Sequence, residues 1–274
     1  MQSIWEEWIS KCKVVAFDLD ETLICTNGKL YDGVLEGVKF LRDCGLNLVI
    51  VTGRTIIELQ HLTFSDSFLS LFDPNIICHD GDVIYDIKTG DTKTLRSLDS
   101  TYLEELLTSI NPYTSFSFEK NGRMYANTRE AAVKSAMLFH INRSAIKLIE
   151  NIDCYNLSDI PIMYFFPEDE HIFEDLYKRE GLNMKLKHSG KLGMIKLLPK
   201  HQCKSFGLKY LLENKRFKLT EVIAVGNGEN DVSLFGACKY GAAVRNSVKE
   251  LIAVADIHLT EELGDFLQKG RRSL

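Results

Sequence analysis

The chain has 274 residues, enough for one or two domains, and 45% of them are hydrophobic, ample for a sizeable core. Its net charge of -5 is mild and argues against a nucleic-acid or membrane-surface role, with Lys-Gly-Arg-Arg at 269–272 the one basic cluster. Seven scattered cysteines without a Cys-x-x-Cys read as reduced thiols of a cytosolic protein, not as a disulfide or zinc framework. The opening Met-Gln-Ser-Ile-Trp-Glu-Glu-Trp is too acidic to read as a signal peptide, and no segment has the length of a membrane span.

Residues 3–10 can form one or two amphipathic turns. Val14-Val15-Ala16-Phe17 then reads as a short buried strand of a parallel sheet. Asn27-Gly28 between apolar residues marks a hairpin turn. Val34, Leu35, Val38, Phe40 and Leu41 recur at helical spacing, and Gly45 ends that helix. Leu46 to Val51 is a second buried strand, followed by Thr52-Gly53-Arg54 and helices over about 55–63 and 66–72. Asn75–Cys78 is a third strand, ending in a His79-Asp80-Gly81 turn that reads as structural. Strand, helix, strand, helix, strand is the order of a doubly wound α/β core with a parallel sheet.

From Val83 the pattern becomes mixed. A hairpin is expected at 83–95 and a helix near 99–110, then extended runs at 113–118 and 123–127 around Asn121-Gly122. Helices are expected at 129–140, 143–151 and 168–180, with strands at 161–166 and 182–188. Such content suggests an α+β unit over 83–190 inserted into a core formed by 1–82 and 191–274. The parallel pattern resumes after Met194–Leu198, with a helix at 203–214 and a strand at 222–225. The loop 226–231, a helix, and further strands at 240–244 and 256–259 with their helices complete the sheet.

The chemistry-bearing residues fall at strand ends. Asp18, Asp20 and Thr22 occupy alternate positions just past the first strand and would share one face if the chain stayed extended. Thr52 follows the second strand, Lys204 opens a helix, and Gly226-Asn227-Gly228-Glu229-Asn230-Asp231 follows a later strand. In open α/β sheets ligands bind beyond the carboxyl ends of the strands, so a parallel sheet would gather these groups.

In these four stretches the chain resembles the phosphatases of the haloacid-dehalogenase (HAD) superfamily. Asp-Leu-Asp-Glu-Thr matches the first motif, Val-Thr-Gly-Arg the second, Lys204 the third, and Gly-Asn-Gly-Glu-Asn-Asp the fourth except at Asn227. The insertion lies between the second and third motifs, as in the Cof-type branch with a C2B-type α/β cap, which includes sugar-phosphate phosphatases and phosphomannomutase. The resemblance covers nearly the whole chain and implies a Rossmann-like core. It implies Asp18 as the nucleophile that forms an aspartyl-phosphate and Asp20 as the general acid and base. It further implies that Thr22, Thr52, Gly53, Arg54 and Lys204 meet the phosphate, with Lys204 also restraining Asp18. A Mg2+ ion would be held by Asp18, the Asp20 carbonyl, Asn227 and Asp231, the substrate being a small phosphorylated metabolite. Asn227 stands where the family usually carries a metal-binding Asp, so weaker metal binding is expected. A phosphomutase and a catalytically silent binding protein are the alternative readings. The remaining histidines lack zinc-ligand spacing.

Overall fold

The structure, a computed structural model, describes residues 4–110, 113–149, 156–167, 184–189 and 193–273. The strands among these, in chain order, begin with β1 (Val14–Phe17), β2 (Asn47–Ile50), β3 (Asn75–Cys78), β4 (Val83–Asp86) and β5 (Thr92–Thr94). There follow β6 (Ser115–Lys120), β7 (Arg123–Ala126), β8 (Ile146–Leu148), β9 (Ile162–Phe166) and β10 (Met184–Ser189). The last are β11 (Met194–Pro199), β12 (Val222–Gly226), β13 (Tyr240–Ala243) and β14 (Ile257–His258).

Two compact units emerge, one comprising Met1–Gly53, Leu62–Asp91 and Cys203–Leu274, the other Arg54–His61 and Thr92–Gln202. The first unit holds a five-stranded sheet in the order β14-β13-β12-β1-β2, every pair parallel. All four residues of β1 are buried, as a central strand covered on both faces requires. The helix Val34–Asp43 buries Val34, Val38, Phe40 and Leu41, four of the five residues whose spacing predicts it, while Leu35 is half-buried. Beyond β2 the ladder continues at Val51 with Ile77 of β3 in parallel, and β3 pairs antiparallel with β4.

The second unit is built on a six-stranded sheet, β10-β11-β9-β6-β7-β8, antiparallel except between β7 and β8. Alternation sends Phe116, Phe118, Met163 and Phe165 to one face, against Tyr102, Leu103 and Leu106 of the helix Ser100–Ser109. Met124, Ala126, Tyr164 and Phe166 occupy the other face, with Ala131, Ala132 and Phe139 of the helix Arg129–Phe139. Each buried aromatic or aliphatic side chain of this kind contributes about 1.5–3 kcal/mol.

Three expectations change. The helix expected over 143–151 is, within its described part, a single 3-10 turn at Arg143–Ala145 leading into β8, because pairing with β7 overrides a weak local helical preference. The run Met194–Leu198 joins no parallel sheet: as β11 it lies antiparallel between β9 and β10, so the second unit extends to Gln202. A continuous apolar run marks any strand covered on both faces, whichever sheet takes it. Residues 83–91 stay with the first unit through β3, while Arg54–His61 joins the second. There the Glu119 carboxylate accepts from the backbone N–H of Ile56 and Ile57, at 3.2 and 3.4 Å. The helix expected at 168–180 lies outside the described residues.

Candidate active site

The first unit gathers its polar groups at the carboxyl ends of β1, β2 and β12. Asp18 follows β1, its N–H donating to the carbonyl of Val225 at 2.8 Å, which carries the ladder one residue beyond the strand. The chain then turns instead of remaining extended. Glu21 adopts a left-handed conformation at φ 53, and the N–H groups of Leu23 and Ile24 both donate to the carbonyl of Leu19. This turn folds the Thr22 hydroxyl back to donate to Oδ2 of Asp18 at 3.3 Å. Asp18 and Thr22 therefore meet by a turn, not by strand alternation. Asp20, between them, is half-buried.

Lys204 opens the helix Lys204–Asn214 and is wholly buried. Its Nζ donates to Oδ1 of Asp18 at 2.5 Å and to Oδ1 of Asp231 at 2.7 Å. The depth of this lysine is set by Gly81, at φ +103, where a Cβ would lie 2.2 Å from the carbonyl oxygen of Cys203. Only glycine suits both that backbone and that contact.

The loop after β12 wraps around Asp231. Oδ2 of Asp231 accepts from the N–H groups of Asn227 and Gly228, each at 3.0 Å. At Gly226 a Cβ would stand 2.5 Å from the Asp231 carboxyl carbon, so the carboxylate occupies the space a side chain would fill. Both Asp231 oxygens are thus engaged, one by an ammonium and one by two backbone donors.

Thr52, fully buried at the end of β2, donates its N–H to Ile77 and accepts on its carbonyl from the N–H of Asp80. The cap of the following helix is Thr55, whose hydroxyl accepts from the N–H of Glu58. Gly53 ends this segment of the first unit. Arg54 falls in the second unit, where its Nη1 donates to the Glu58 carbonyl at 3.5 Å. Asp80, which the sequence reads as a turn residue, has a left-handed backbone and accepts on Oδ1 from Nδ2 of Asn230 at 2.8 Å. It therefore tethers the 226–231 loop to the end of β3, beside Gly53. Nothing in its sequence context signals that partner.

Charge decides the character of the cluster. Burial pushes the Asp18 carboxyl up; the Lys204 ammonium pulls it back and Asp231 pushes it up again, leaving it at about 7. Burial works against the Lys204 charge, but the Asp18 and Asp231 carboxylates outweigh it and hold the ammonium above its ordinary value. With both buried carboxylates ionised, the one ammonium they share leaves the cluster short of one positive charge. Among the described residues no group of three or more acidic, histidine or cysteine side chains forms a ready metal cage. The donors on hand are hard oxygens: the Asp18 carboxylate, the Asn227 amide and backbone carbonyls. That set suits magnesium, which keeps several waters and needs few protein ligands.

The sequence pattern of haloacid dehalogenase-like hydrolases matches residues 15–262. The chain belongs to that family. The resemblance drawn from the four motifs, and the α/β core with its inserted unit, are borne out for this hydrolase. A curated relative, 5-amino-6-(5-phospho-D-ribitylamino)uracil phosphatase YwtE of Bacillus subtilis, is 24% identical over 267 residues, covering 87% of this chain and 90% of its own. The crystal structure of TM0651 from Thermotoga maritima shares the fold at a TM-score of 0.76 and 18% identity, over 94% of this hydrolase and 97% of that protein. The subclass IIB sugar phosphatase BT4131 shares it at a TM-score of 0.68 and 15% identity, over 96% and 100% of the two chains. No helix among the described residues is long and apolar enough to cross a membrane.

Proposed function

We propose that this haloacid dehalogenase-like phosphatase is a magnesium-dependent phosphomonoester hydrolase that acts on a small sugar phosphate through an aspartyl-phosphate on Asp18. The observation that carries this reading is the buried Asp18 carboxylate at the end of β1, held by Lys204 on one oxygen and Thr22 on the other. A carboxylate fixed in orientation and kept from water is a positioned nucleophile.

In the first step a carboxylate oxygen of Asp18 forms a bond to phosphorus while the ester P–O bond breaks. Asp20 gives its proton to the departing alkoxide. In the second step Asp20 takes a proton from water, whose oxygen bonds to phosphorus and frees the Asp18 carboxylate as inorganic phosphate departs. Lys204 neutralises charge on Asp18 throughout, and Asp231 holds Lys204 in place. The Thr52 hydroxyl and the Gly53 N–H are the donors assigned to the phosphoryl oxygens. Magnesium would be held by Asp18, Asn227 and the Asp20 carbonyl and would supply positive charge beside the two ionised carboxylates. Asp231 supports the metal site through the loop it closes.

The second unit is proposed as the cap that selects substrate. The phosphoribityl compound in the name of YwtE and the sugar-phosphatase activity in that of BT4131 support the sugar-phosphate class. The six described cysteines are free thiols and support a cytosolic site of action. The test is release of inorganic phosphate from an aryl phosphate and a panel of sugar phosphates, with magnesium and with a chelator. Release that depends on magnesium and favours a sugar phosphate is expected. Isomerised sugar phosphate without free phosphate would overturn hydrolysis in favour of a mutase, and no turnover of any ester would overturn both.

A further inference from the structure

Within the second unit a cavity of about 260 Å³ is lined by Arg96, Ser97, Pro199, Lys200 and His201. Two stretches far apart in sequence form it, and Nη1 of Arg96 joins them by donating to the backbone carbonyl of His201. Arg96 is half-buried, whereas Ser97, Lys200 and His201 are exposed. Among the described residues no acidic side chain lines the cavity, although the chain as a whole carries more acidic than basic residues.

We propose that this cavity binds a phosphate-type dianion, either inorganic phosphate or the phosphoryl group of a small metabolite. A guanidinium presents a planar fork of donors that fits phosphate oxygens, and an ammonium adds a mobile point charge. The Ser97 hydroxyl and the His201 ring would complete the donor set, with no carboxylate among the described lining residues to repel the ligand. The volume lies below the roughly 300–1,000 Å³ of pockets for drug-sized molecules, which favours a small anion over a nucleotide. Solvated surface cations are common, but here they converge on a concave site from two separate segments. The lining lies within a few residues of both Thr92 and Gln202, the ends of the long segment of the second unit. A bound anion would clamp those ends together. The proposal does not rest on the hydrolysis reading, since none of these residues belongs to the Asp18 cluster.

The test is an amide-resolved NMR titration of the metal-free full chain with inorganic phosphate, at low and at 0.15 M ionic strength. Saturable shifts are expected at residues 96–97 and 200–201, weakening at the higher ionic strength. Lys200→Glu should weaken the affinity read at these amides at least tenfold, while leaving shifts near Asp18 and aryl-phosphate hydrolysis unchanged. His201→Asn, which keeps the carbonyl that Arg96 uses, should weaken it several-fold and provides a second variant should Lys200→Glu misfold. A non-hydrolysable sugar phosphonate separates the sources. Binding at least tenfold tighter than phosphate identifies a phosphorylated metabolite, and equal or weaker binding identifies the free ion. Absence of shifts at these amides with both probes, or affinities unchanged in both variants, overturns the site.

Discussion

Nζ of Lys204 lies 2.7 Å from Oδ1 of Asp231, and both side chains are completely shielded from solvent. With Oδ2 taken by the N–H groups of Asn227 and Gly228, this carboxylate fixes the lysine and the loop at once. In Asp231→Asn the amide nitrogen must face either the ammonium or the two backbone donors. Loss of one charged hydrogen bond in the interior costs about 1.5–3 kcal/mol. Turnover should fall at least tenfold and thermal stability should drop, measured by phosphate release and by a melt in chelator. Survival of full activity would show that Lys204 needs no second carboxylate.

Asp18→Asn should abolish turnover. In the metal-free protein it should also raise stability, in a way that depends on pH. The Asp18 carboxyl goes from an ordinary 3.8 to about 7 in the fold. A raised carboxyl means that the folded state tolerates the ionised form less well than the unfolded chain does. Below 3.8 both states hold the proton and the penalty is absent; it accumulates from 3.8 to about 7 and is complete above. An amide never ionises, so the melting temperature of the variant should exceed that of the wild type most at pH 8 and converge on it toward pH 4. Parallel melting curves across that range would refute the assigned direction.

Gly81→Ala tests how the lysine reaches its depth. The new methyl would stand 2.2 Å from the Cys203 carbonyl oxygen at a backbone φ of +103. Overpacking of this kind costs about 1–3 kcal/mol before any backbone strain is added. The variant should be less stable and should lose activity more than stability at 25 °C alone explains, because helix Lys204–Asn214 must shift. Unchanged kinetics in a folded Gly81→Ala would show that Lys204 has slack.

Much of this was legible because the first unit writes its folding pattern locally. The apolar quartet of β1, the helical spacing of Val34–Leu41 and the polar residues at strand ends are short-range signals. The bond from Lys204 to Asp18 spans most of the chain, yet the topology of a parallel sheet makes it foreseeable. The tether between Asp80 and Asn230 and the engagement of both Asp231 oxygens were not legible, since each depends on side-chain direction in an irregular loop. Nor was the fate of Met194–Leu198, because its pattern suits either sheet and its partner strands alone decide. The move of Arg54–His61 to the second unit turns on the buried Glu119, whose carboxylate takes two N–H groups more than sixty positions earlier in the chain.

Asn227 offers a metal an uncharged ligand. Its side chain is half-buried on the loop closed by Asp231, and its own N–H is spent on that carboxylate. The amide oxygen is a hard donor that magnesium accepts, but it carries no charge. At about 4 Å and an effective dielectric near 20, one unit charge beside another is worth roughly 4 kcal/mol, and a divalent ion feels it twice over before solvation is counted. Even a small surviving fraction of that is a large change in affinity. Asn227→Asp should therefore tighten magnesium binding at least tenfold in the absence of substrate. In the wild type, an oxyanion such as beryllofluoride on Asp18 should raise magnesium affinity by supplying the missing negative charge. The same mimic should help Asn227→Asp less, because its carboxylate already supplies that charge. Turnover can move in either direction, since an added carboxylate also repels the incoming phosphate. The deciding measurement is calorimetric titration of magnesium into both proteins, with and without the mimic. Equal affinities for the two proteins would remove Asn227 from the metal site.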